Sequence, residues 1–254
     1  MTYEITPKEK KLAIMVIVAF IVTSGLLPTN MTGNIFIFNS IGQINISRTI
    51  PNNNVNETTM NINIESATVQ VFFTNGLENL AIINFTIDRT KYEQYGDPIV
   101  NYTNDVININ YNCAEIMIYL SNNIKYNINA NISAGTFTIN YSNNAKIGNI
   151  NTHISAGTIV YYLDNITRFT NNVTTNLIVD SGVIYVTALK PSSVGTKITA
   201  LVDTGEIELN STGYSYSVNT ATTKIGQSLD YSSATYKLDI MAYCKMGRIT
   251  LFLR

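Results

Sequence analysis

The sequence predicts an all-β chain built as a β-solenoid, a stack of short repeated units behind an amino-terminal membrane segment. Three observations predict it. A small-residue and glycine turn recurs in NISAGTFTI (131–139), HISAGTIVY (153–161), VDSGVIYV (179–186) and VDTGEIEL (202–209). The glycines of these turns, Gly135, Gly157, Gly182 and Gly205, are spaced by 22, 25 and 23 residues. On either side of each turn, apolar and polar residues alternate with the period of two that buries one face of a strand. A single unit of this size cannot bury its own apolar side, whereas stacked neighbours bury it for one another. A β-sandwich, which also uses many short strands, is the alternative architecture, although it does not require the echo.

In chain order, residues 1–11 form a lysine-bearing tail, with Lys8, Lys10 and Lys11 before an uncharged run at residues 12–27, LAIMVIVAFIVTSGLL. Sixteen helical residues reach about 24 Å, short for a membrane core but sufficient when flanking lysines snorkel. The positive flank keeps the tail cytoplasmic and places residues 28–254 outside. The run serves as a retained single-pass anchor or as a cleaved signal segment, in which case the protein is secreted.

Gly33 to Ile50 reads as a first strand pair, with Gly42 at the position of the later turn glycines, and 51–59 reads as an exposed loop. Residues 62–73 repeat the theme with Ala67 at the turn. Leu80 to Ile87 is a further strand, and Asp88 to Pro98 is the least regular stretch. The theme resumes at Val106, where Ala114 lies 47 residues beyond Ala67, about two repeats on. Regularity is highest over 106–254. After Gly205 a polar, edge-like segment, STGYSYSVNT, precedes a restatement of the unit around Ala234. Gly247 to Leu253 ends the chain as an apolar strand that caps one end or returns into the core.

Charged residues make up only 13% of the chain, and the formal net charge is -1. Beyond Pro28 there are 13 basic and 15 acidic residues without a basic run, which excludes a nucleic-acid groove. Solubility then depends on amides, hydroxyls or groups attached to them. Ten Asn-x-Ser/Thr sequons, at Asn30, Asn45, Asn56, Asn84, Asn101, Asn131, Asn140, Asn165, Asn172 and Asn210, offer glycosylation sites on an outward-facing domain. The two cysteines, Cys113 and Cys244, exclude a disulfide-dense scaffold or a four-cysteine metal site. In a sequential stack they fall five units, or about 24 Å, from one another, too far to bond.

The residues offer little chemistry. His153 is the only histidine, and a triad would need Asp164 or Asp180 to swing towards it, which nothing in the spacing proposes. Asp180 and Asp203 hold equivalent positions in successive units and are expected to stack. They either cap their own turns, as Ser133 and Ser155 would, or hold calcium with Glu206 and Glu208 nearby; turn capping is the expectation. No catalytic residue, metal site or cofactor is expected. Sixteen tyrosines occur with no tryptophan. In Tyr161-Tyr162 one ring must face outward, and Tyr214 and Tyr216 form another pair; exposed rings can stack on sugars or on another protein.

The recurring Ser/Asp-x-Gly turn before a short β-branched strand, behind a membrane segment, resembles the putative-adhesin β-solenoid domain of prokaryotic envelope proteins, domain of unknown function 4097. The resemblance covers 106–254 well and Gly33 to Phe85 more loosely. The abundance of Asn, Ile and Tyr resembles surface proteins of thermophilic archaea or their viruses. The resemblance implies a non-enzymatic structural or adhesive module at the cell surface, contacting glycans or envelope proteins, with no catalytic residues to transfer. A self-assembling homo-oligomeric subunit of a filament, coat or envelope layer is the second reading. A carbohydrate-binding or polysaccharide-cleaving β-helix is the third.

Overall fold

The computed structural model describes residues 42–254. The tail at 1–11, the membrane segment at 12–27, the sequon Asn30 and the start of the strand pair expected from Gly33 lie outside the described residues. Among the described residues no helix is long and apolar enough to cross a membrane.

The Ile-rich alternation produces strands in nearly every segment where it occurs, because period two places one row of branched side chains on one side. The strands are β1 (Gln43–Ile50), β2 (Glu57–Thr74), β3 (Ala81–Asp88), β4 (Ile99–Thr103), β5 (Val106–Ser121) and β6 (Lys125–Tyr141). They continue with β7 (Ile147–Leu163), β8 (Val173–Ala188), β9 (Val194–Ser211), β10 (Tyr214–Asn219), β11 (Thr223–Ser228) and β12 (Tyr236–Leu253). Together they make one sheet, in the order β1-β3-β5-β2-β6-β7-β8-β12-β9-β11-β10, with β4 also paired to β5. The seven long strands β5, β2, β6, β7, β8, β12 and β9 pair in parallel along this path.

Each long strand changes burial phase halfway. In β6, Tyr126, Ile128, Ala130 and Ile132 are buried before the turn, and Phe137, Ile139 and Tyr141 after it. The shift from even to odd positions keeps the apolar row on the interior while the chain changes direction at Gly135, whose φ is 134°. The two halves of the strands close on a shared core. Phe73, from the second half of β2, meets Tyr126 of the first half of β6 edge-on at 6.0 Å and stacks on Tyr141 at 4.7 Å. Each isoleucine fully withdrawn from water here contributes about 1.5–3 kcal/mol.

The corner residues stand in register, Ala114 beside Ala67, then Gly135, Gly157, Gly182, Gly247 and Gly205. This row corrects the expected sequential stack in four places. The corner of the last unit is Gly247, not Ala234, which lies in the connection between β11 and β12. β12 enters between β8 and β9 out of chain order, so Gly247 to Leu253 returns into the core, the second of its two expected placements, and does not cap an end. The Ala114 unit packs on the outer side of β2 instead of between β2 and β6. Gly42 does not belong to the row at all, because it precedes β1, which runs antiparallel to β3.

The irregular stretch after β3 contains a helix, α1 (Arg89–Tyr95). The Asp88 carboxylate caps it by accepting from the Thr90 N–H at 2.9 Å, and the Gly96 N–H closes its end on the Tyr92 carbonyl. At the opposite end, the polar segment after β9 forms the outermost strand β10, as its composition suggests. Cys113 and Cys244 are both free, on strands five steps apart in the sheet order.

Candidate functional site

The first halves of β5, β2, β6, β7 and β8 turn their polar residues outward, and the parallel register brings five asparagines into one row. Asn176 donates to Asn151 at 2.8 Å, Asn151 to Asn129 at 3.1 Å, Asn129 to Asn61 at 2.9 Å, and Asn61 to Asn108 at 2.9 Å. All four bonds run in the same sense, so the amide dipoles align head to tail and polarise one another. A second row contains Asn110, Asn63, Asn131 and His153, with Asn63 donating to Asn110 at 3.2 Å. Asn110 excepted, the two rows line a shallow groove of about 430 Å³, which continues onto Ile178 opposite His153 and Met241 opposite Asn176.

This amide ladder was not anticipated, although a signal for it exists in the sequence. Asn61, Asn108, Asn129, Asn151 and Asn176 each stand six residues before the corner residue of their own strand, Ala67, Ala114, Gly135, Gly157 and Gly182.

At the edge of the groove His153 Nε2 lies 3.1 Å from Asp180 Oδ2. Nothing in the sequence spacing proposes this pairing, which the parallel register brings about. Opposite His153 the register sets Ile178, and Asp180 follows two residues later on the same outward side. Asp164 stays in its turn, accepting from the Ile166 N–H. No serine or cysteine hydrogen-bonds to His153 among the described residues.

Asp180 and Asp203 are not adjacent. β12 separates their strands, and its Lys245 occupies the register position between them, between Cys244 and Met246. Instead of capping its own turn, Asp203 accepts the Tyr243 hydroxyl at 2.5 Å, which holds that hydroxyl above the usual tyrosine range. Glu206 and Glu208 both pair with Arg248, at 2.9 and 3.4 Å. Each carboxylate considered for calcium is therefore engaged by a side chain on a neighbouring strand. Among the described residues no group of three His, Cys, Asp or Glu side chains converges on a point.

The second halves of the strands present a different outward face. Tyr119 and Phe72 stack at 5.7 Å, and Tyr162 and Phe252 follow further along the same row. As expected, Tyr161 is buried and Tyr162 faces out. Tyr214 and Tyr216 stack on each other at 6.4 Å and pack against the core, so neither is a free platform.

The sequons divide by position. Asn56, Asn101, Asn131, Asn165, Asn172 and Asn210 are exposed, while Asn45, Asn84 and Asn140 are half-buried. Asn84 accepts from Ser47 and Asn45 accepts from Thr86. The Asn172 carbonyl is engaged by the Lys237 N–H. Asn131 alone stands in the amide groove.

No protein-family model matches the chain, and no curated protein matches it. Among solved structures, the chain is similar to a putative cell adhesion protein from Clostridium sporogenes, with a TM-score of 0.61 at 16% identity, over 83% of this chain and 99% of that one. A putative adhesin from Bacteroides fragilis overlaps 84% of this chain and 98% of its own, at 9% identity and a TM-score of 0.28. Another, from Parabacteroides merdae, overlaps 83% and 96%, at 9% identity and a TM-score of 0.25. The first of these shares the fold.

Proposed function

We propose that the chain is a non-enzymatic adhesive or structural module of the cell surface, with residues 28–254 outside and residues 12–27 as its single membrane pass. If that segment is cleaved, the same module is secreted. The observation that carries the reading is the ladder of five outward amides, an extended polar face that runs across five strands. The fold shared with the Clostridium sporogenes protein supports it. So does the two-faced stack of parallel units, which we read as a β-solenoid whose units are out of chain order. Glycans on the exposed sequons away from the groove, Asn56, Asn101, Asn165, Asn172 and Asn210, would keep the remaining surface soluble.

The test is adhesion by the full chain held in lipid vesicles. Saturable retention of the vesicles on cells or isolated cell envelopes is expected. Vesicles that pass unretained, together with cleavage of an added polysaccharide, would overturn the reading in favour of an enzyme.

One observation favours self-assembly as a second reading. β11 pairs with β9 only from Lys197 to Leu201, and beyond the bond from the Ile207 N–H to Ala221 the edge through Ser211 has no neighbouring strand among the described residues. Glu206, Glu208 and the sequon Asn210 lie along it, the kind of charged and bulky guard that discourages strand addition. Sedimentation of the native protein over a range of concentrations separates the readings, since a subunit of a filament or coat grows in mass with concentration.

A further inference from the structure

We infer that the amide groove binds an uncharged, extended polysaccharide, an inference that rests on the adhesive reading. The ladder leaves a defined surplus of hydrogen-bonding capacity. Asn61, Asn129 and Asn151 each spend one amide hydrogen and one carbonyl lone pair on their neighbours. Each therefore keeps one donor and one acceptor for an outside ligand. With Asn108 and Asn176 at its ends the row spans four strand intervals of about 4.8 Å, so the array extends roughly 19 Å. A single sugar would meet only part of it, whereas a linear chain whose hydroxyls recur along its length can meet all of it.

The groove is also matched in charge. Its only ionisable lining residue is His153, which faces Asp180, and the strand starts nearby carry Glu57 and Lys125 paired at 2.7 Å. No lysine or arginine lines it to attract a polyanion, and no aspartate or glutamate lines it to attract a polycation. Ile178 and the exposed Met241 form an apolar wall suited to the C–H face of a sugar ring. The amides are fixed by register and by one another, so little side-chain freedom is lost when a ligand arrives.

The full chain in uncharged detergent, titrated calorimetrically with manno-, cello- and xylo-oligosaccharides of increasing length and with oligogalacturonate, tests this. At least one neutral series should bind with affinity that rises with chain length and does not respond to salt, while oligogalacturonate should not bind. Asn151→Leu should weaken binding at least tenfold, and so should Asn131→Ala, which breaks no ladder bond and keeps the fold. Thr138→Ala, on the opposite face, should bind as the parent does. The inference is overturned if no neutral series binds, if both groove variants bind unchanged, or if glycopeptide mapping finds Asn131 occupied, since the chain's own carbohydrate would then fill the groove. Retention on cells without oligosaccharide binding overturns the inference and leaves the adhesive reading standing. Failure of both removes both.

Discussion

Gly157 stacks on Gly135 so closely that a Cβ added to it would lie 1.8 Å from the Gly135 carbonyl oxygen. Its φ of 151° is one that side chains rarely adopt, so crowding and backbone strain act together. Gly157→Ala should therefore cost about 2–5 kcal/mol, read as a lower urea midpoint. Gly213, between β9 and β10, separates the two causes, because its φ is 78° but nothing lies within 4 Å of an added Cβ. Gly213→Ala should cost only about 1–2 kcal/mol. Equal losses at the two sites would show that the corner row is not tightly stacked.

The ladder makes a graded prediction. Asn151 holds two ladder bonds and the terminal Asn108 holds one. At about 0.5–1.5 kcal/mol per bond, Asn151→Ala should destabilise roughly twice as much as Asn108→Ala. A double-mutant cycle between Asn129 and Asn151 should show coupling, whereas Asn151 and Thr138, on opposite faces, should be additive.

The residues that carried the fold in the sequence were those whose role is local. Alternating isoleucines marked the strands, and Gly135, Gly157 and Gly182 marked the corners, because only glycine accepts that backbone and that contact. The order of the units was not legible, for a physical reason. β8, β9 and β12 each carry a glycine corner of positive φ within an alternating strand, so the corner pattern does not say which of them are neighbours. β12 lies between β8 and β9, and the other edge of β9 is taken by β11, from Thr223 opposite Leu201 to Gln227 opposite Lys197, pairings that are not a property of any repeat. The amide groove was half-legible: the constant offset of Asn from the corner was present, but its meaning depends on parallel register. The His153–Asp180 pair depends on register in the same way and has no signature in spacing.

Buried tyrosines give the stability a definite pH dependence. Burial raises Tyr111, Tyr214 and Tyr231 to about 12, with charged or polar neighbours adding smaller effects, and pushes Tyr126 higher still. The folded chain thus prefers the neutral phenol, and the unfolded chain loses the proton first. Their contribution is complete below the ordinary tyrosine value near 10 and is lost as pH rises through about 12. Circular dichroism and tyrosinate absorbance should therefore change together in that window. Tyrosinate absorbance reaching the value for all sixteen tyrosines near pH 10 with the fold intact would contradict the burial of these rings.

Thr152 supplies a stabilising substitution. It stands on β7 between Ala130 and Leu177, is 2% exposed, and its hydroxyl has no partner. Folding strips water from that hydroxyl without replacing the hydrogen bond, a cost of about 1–3 kcal/mol. Valine has nearly the same shape and no such cost, so Thr152→Val should raise the urea midpoint by the equivalent of about 1 kcal/mol or more. Thr152→Ser keeps the hydroxyl and removes the methyl group, and should cost about 1 kcal/mol. The opposite signs separate the polar from the packing contribution at one position. If Thr152→Val were destabilising, the hydroxyl would have to be hydrogen-bonded in solution, most simply to an enclosed water, and this part of the core would be wet.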